Sequence, residues 1–154
     1  MKKYPLISVI LILALAQVAV VSRIKILGSS GDCFTIALVY AGLFFNIRTV
    51  IVSGIFVGAL KDVFSANPSA FNTILAPAWG FLVFQAARRL TVDSNPIRCV
   101  LVFFIAFCNA AVLRTVWWFQ GISVPLGVSV RIMAADSLLT AVLALGIFKI
   151  LKVR

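Results

Sequence analysis

Carboxylates are few in this chain, and their positions limit its chemistry. Its 154 residues contain four acids, Asp32, Asp62, Asp93 and Asp136, with no glutamate and no histidine. A hydrolase would be expected to carry a nucleophile with its base, or a close acidic dyad. Only Asp62 and Asp136 fall inside apolar segments, where each needs a partner for its own charge. Nothing else in the sequence supports a proton relay between them. Cys33, Cys99 and Cys108 have no CxxC spacing, and without histidine they predict no metal site. The chain therefore reads as non-enzymatic, with no cofactor.

Asp62 has the most informative surroundings. In Gly54-Ile-Phe-Val-Gly58-Ala-Leu-Lys-Asp62-Val-Phe-Ser65 the glycines and the acid recur every fourth residue, and Ser65 follows three later. On a helix these four residues form one slowly drifting stripe. Two glycines on that stripe open a groove for a neighbouring backbone. An aspartate in an apolar helix is expensive, so it is expected to face protein or water and to mark a function or specific contact. Lys61 points elsewhere, because adjacent helical residues do not share a face. It is expected to snorkel to the interface. Ala37-xxx-Ala41 and Ala106-xxx-Ala110 are read as ordinary helix packing.

The elements that must hold these residues are apolar. The chain is 63% hydrophobic with a mean hydropathy of +1.16, whereas soluble domains are about half apolar. A spanning helix takes about 20 apolar residues, so six spans fill the chain as one domain, 1–154. The expected spans are about 4–22, 33–46, 49–65, 70–87, 97–119 and 126–150, the second being the shortest. Turn chemistry separates them at Gly28–Gly31, Asn67–Ser69, Asp93–Pro96 and Gly121–Pro125. The first segment resembles a signal peptide, but five more apolar segments follow it, so it is read as a retained span.

The formal charge of +10 does not point to nucleic acid, because the basic residues flank apolar segments rather than forming one soluble patch. With both termini in the cytoplasm, the inner positions hold Lys2, Lys3, Arg48, Arg88, Arg89, Arg98, Lys149, Lys152 and Arg154. The outer loops hold Arg23 and Lys25. That asymmetry predicts N-in, C-in. Trp117 and Trp118 fall at the expected outer end of the fifth span, while Trp79 lies within the fourth and is expected to pack. At 1.5 Å per residue, Asp62 lies roughly 20 Å from the inner end of its span and Arg114 roughly 24 Å. Gln17, Asp62, Arg114, Arg131 and Asp136 could thus share the outer half of one bundle. Two readings follow: a polar site or partner surface with Asp62 paired to Arg114 or Arg131, or polar groups that satisfy one another and hold the helices in place.

The third and fourth spans resemble the bacterial rod shape-determining protein family MreD. The shared pattern is Gly54, Gly58, Asp62 and Ser65, then Asn72 and Leu75, then Trp79-Gly80 and the basic pair Arg88-Arg89. The chain departs from it at Ala66 and Ala70, where glycine is frequent, and at Trp79, where tyrosine is usual. The resemblance implies an all-α polytopic inner-membrane protein, built like the S component of energy-coupling-factor transporters. It implies a scaffold of the elongation complex for sidewall peptidoglycan, which maintains rod cell shape. The implied partners are an MreC-like bitopic protein, MreB, a RodA-type glycosyltransferase and its penicillin-binding transpeptidase. Gly54, Gly58, Asp62, Ser65, Asn72, Trp79 and Gly80 would then serve packing or docking. The alternative is a vitamin- or metal-ion-binding S component, with an outward cavity lined by Gln17, Asp62, Arg114 and Arg131. The first span has Ala14, Ala16 and Ala19, which is not the Ala-xxx-Ala spacing such components often carry.

Overall fold

A computed structural model describes residues 6–21, 31–64, 70–89, 94–121 and 125–150. These are helical: α1 (Leu6–Ala16) continuing into a π-helical turn (Gln17–Val21), α2 (Cys33–Phe44), α3 (Ile47–Phe64), α4 (Phe71–Arg89), α5 (Asn95–Phe119) and α6 (Leu126–Ile150). The all-α expectation holds. Ser65 and Asp93 lie outside the described residues.

Among the described residues, two helices are long and apolar enough to cross a membrane, 96–119 in α5 and 126–150 in α6. Val100, Phe104, Leu138, Val142 and Leu145 are exposed along them. The chain places helices close to all six expected segments, but not all are equivalent. α3 carries Arg48, Lys61 and Asp62, and α4 opens on Asn72-Thr73 and closes on Arg88-Arg89.

The expected second span is the largest departure. α2 has 12 residues, about 18 Å of rise against a hydrocarbon core of about 30 Å. It is apolar on every side, and every residue from Cys33 to Gly42 is buried. A helix without a polar face belongs inside a protein or a membrane. Here it is the hub, touching α1, α3, α4, α5 and α6. Its own Ile36 and Val39 are fully buried, as are Val50, Val83, Val102 and Phe148 from the neighbouring helices.

α3 and α4 form the most extensive helix pair. A Cβ on Gly54 would lie 2.7 Å from the Pro77 Cα, and one on Gly58 would lie 2.3 Å from the Asn72 carbonyl oxygen. A Cβ on Gly80 would meet the Val50 side chain at 2.9 Å. The glycines thus let backbones approach within a distance any side chain would prevent.

Candidate functional site

The polar residues gather at one end of the bundle, where α1, α3 and α5 finish and α2, α4 and α6 begin. Asp62, in the last turn of α3, lies against the first turn of α4. Its Oδ1 accepts from the Asn72 backbone N–H (3.2 Å) and amide Nδ2 (2.8 Å), and its Oδ2 from the Thr73 backbone N–H (2.8 Å) and hydroxyl (2.6 Å). The first N–H groups of a helix have no intrahelical acceptor and carry positive partial charge. Asp62 fills that role from another helix, acting as an N-cap supplied in trans. The expected pairing of Asp62 with Arg114 or Arg131 is therefore corrected. A helix N-terminus neutralises this acid, Arg114 lies over the Trp117 ring at 5.5 Å, and Arg131 is exposed.

A second aspartate, Asp32, organises the centre. It N-caps α2, its Oδ1 accepting from the N–H groups of Phe34 (3.0 Å) and Thr35 (3.2 Å) and its Oδ2 from the Thr35 hydroxyl (2.7 Å). Lys61 reaches it from α3 in an ion pair. Lys61 therefore turns inward and does not snorkel. Burial by itself pushes the Asp32 carboxyl up. The Lys61 charge and the hydrogen bonds from Lys61 and Thr35 outweigh burial and hold it below the ordinary range.

Gln17 and Asp136 secure the chain just before α2. Gln17 Nε2 donates to the Gly31 carbonyl (3.2 Å), and its Oε1 accepts from the Cys33 N–H (2.8 Å). Asp136 Oδ1 accepts from the Gly31 N–H (3.0 Å). The Asp32 N–H donates to the Thr140 hydroxyl (2.9 Å), which itself donates to the Asp136 carbonyl (2.7 Å). Gly31 has φ +60, and a Cβ there would lie 3.0 Å from the Leu143 side chain, so the turn into α2 is left-handed and suits glycine. Gln17 and Asp136 thus both hold the backbone just before α2. Trp79 packs as expected and also donates from Nε1 to Asn109 Oδ1 at 3.1 Å, tying α4 to α5.

Between these groups lies a cavity of about 260 Å³, lined by Asp32, Lys61, Asn72, Asn109, Arg114, Trp117 and Asp136 with the apolar walls Phe71, Leu113, Ile132 and Met133. Of the four residues expected to line a cavity, Arg114 does so, and Gln17, Asp62 and Arg131 do not. Among the described residues, no cluster of His, Cys, Asp and Glu could hold a metal. Sequence reasoning passed over Asp32 as a site residue, although Asp immediately before an apolar run, with Thr35 three residues on, is an N-cap signal. Its partner Lys61, 29 residues away, left no local signal. No family model, curated protein or solved structure matches the chain.

Proposed function

We propose that this chain is a non-enzymatic membrane scaffold of the MreD kind, acting in the elongation complex that builds sidewall peptidoglycan and keeps rod-shaped cells rod-shaped. One observation carries the reading. Residues that are scattered in the resemblance meet at a single seam: Gly54 and Gly58 against Pro77 and Asn72, Asp62 on Asn72 and Thr73, Gly80 against Val50. A motif whose members hold one hairpin together suits a protein that works by its shape. α4 occupies the glycine groove, so an MreC-like partner would meet another surface. MreB would act at the opposite end, and the RodA-type glycosyltransferase and its transpeptidase would join the same assembly directly or through MreC.

Location in the bacterial cytoplasmic membrane, with six segments and both termini inside, belongs to the same proposal. Its support is the exposed apolar residues along α5 and α6 and the gathering of Arg48, Arg88, Arg89, Arg98 and Lys149 at the end opposite Asp62. The cavity lends support to the vitamin form of the second reading, a substrate-binding S component; the metal-ion form draws none from its lining.

Depletion in the rod-shaped host separates the two. The scaffold reading expects wide, rounded cells, restored by the wild-type gene and not by a Gly58→Leu copy. Rods of normal width together with lost vitamin uptake would transfer the assignment to transport. Normal width with normal uptake would sink both.

A further inference from the structure

We infer that the cavity between the α5–α6 pair and the α3–α4 hairpin binds a small amphiphilic anion, a carboxylate or phosphate monoester on an apolar body. The inference does not depend on the scaffold reading, because it rests on the lining alone. Asp32 and Lys61 neutralise each other on the cavity wall, and the Asp32 oxygens also take three donors from α2. One oxygen of Asp136 is occupied by the Gly31 N–H. Arg114 differs. Its guanidinium lies over the face of Trp117, and among the described residues no carboxylate is within ion-pair distance of it. An arginine kept in an apolar helix marks a partner, and its planar fork matches a carboxylate or phosphate.

The rest of the cavity suits the other half of such a ligand. Phe71, Leu113, Trp117 and Met133 give apolar walls beside that charge, the usual division of labour in small-molecule sites. At about 260 Å³ the space falls below the roughly 300–1,000 Å³ of pockets for drug-sized ligands, so the ligand is small or only its head enters. A diffusible acid and a lipid headgroup share this chemistry.

The test uses the full chain purified in non-ionic detergent, with tryptophan fluorescence as the readout because Trp117 lines the site. Octanoate and octyl phosphate are titrated, with octylamine as the cationic control. A parallel titration uses nanodiscs with and without phosphatidate. Saturable changes with the octyl anions and none with octylamine are expected. Arg114→Gln should weaken binding about tenfold or more, the loss of a charge-assisted contact. Ala110 also lines the cavity, and Ala110→Phe, which fills the space and leaves Arg114 intact, should abolish binding while the helical circular dichroism is retained.

Saturation in lipid-free micelles identifies a diffusible ligand. A response only to phosphatidate identifies a headgroup, and either result upholds the site. Equal binding of octylamine, wild-type binding by folded Arg114→Gln and Ala110→Phe, or no saturable response to any anion overturns it. Cell-shape assays are unaffected by that outcome, so the two readings fail separately.

Discussion

Gly58 and Gly127 are both helical glycines, yet they should respond oppositely to the same substitution. A Cβ at Gly58 meets the Asn72 carbonyl at 2.3 Å, while one at Gly127 meets nothing within 4 Å. Gly58→Ala should cost about 1–3 kcal/mol through overpacking. Gly127→Ala should cost nothing and gain up to about 1 kcal/mol from helix propensity. Thermal unfolding in detergent checks the order, and equal midpoints would argue against the seam. Asp62→Ala should lose about 0.5–2 kcal/mol, as other N-caps do. Exchanging charges, Asp62→Arg with Arg114→Asp, should give no rescue over the single variants. Recovery in the double variant would restore the ion pair that the geometry rejects. For Asp32 the sign follows from a carboxyl held below its ordinary range. Its contribution is complete above the unfolded value, about 3.9, and is lost as pH falls through the lower folded value. Wild type should therefore lose stability below about pH 4 more steeply than Asp32→Asn. Parallel curves would remove the Lys61 pair from the account.

At the scale of elements, α2 is the piece most altered by tertiary context. Its apolar run was legible, and so was its start at Asp32, but an apolar run of 12 residues fits a truncated span and a core helix equally well. Contacts with five other helices decide for the core. Cysteine chemistry checks this. Cys33 at the start of α2 and Cys99 in α5 are buried, whereas Cys108 is partly exposed. A membrane-permeant maleimide should modify Cys108 first in the folded protein, with Cys33 and Cys99 reacting only after denaturation. Rapid labelling of Cys33 would remove α2 from the centre. The α3–α4 hairpin was more legible than α2, because four-residue spacing of glycines reports a close backbone approach. What spacing left open was the identity of the approaching backbone, and α4 fills that place rather than a partner protein.

Across the whole molecule, the alternation of the helices sorts charge by end. Asp32, Lys61, Asp62 and Asp136 gather towards one end, each bound to the chain around the starts of α2 and α4, and Arg48, Arg88, Arg89, Arg98 and Lys149 lie at the other. The positive-inside rule then predicts cytoplasmic N- and C-termini. Fusions of a reporter that is active only in the cytoplasm should be active at both, and an inactive fusion at either terminus would refute the six-segment reading. From sequence alone came the all-α class, the approximate extent of each helix and the glycine stripe. These follow from local hydropathy and spacing, which need no knowledge of distant residues. Depth arithmetic put Gln17, Asp62, Arg114, Arg131 and Asp136 at a common depth, because rise per residue is constant in a helix, but it could not tell that Arg131 would face outward. Tertiary structure alone decided which polar group answers which. A carboxylate in an apolar setting accepts either an arginine or a helix N-terminus, and only the packed backbone determined that Asp62 takes Asn72 and Thr73 while Lys61 turns to Asp32. Arg114 was thereby left to face the cavity.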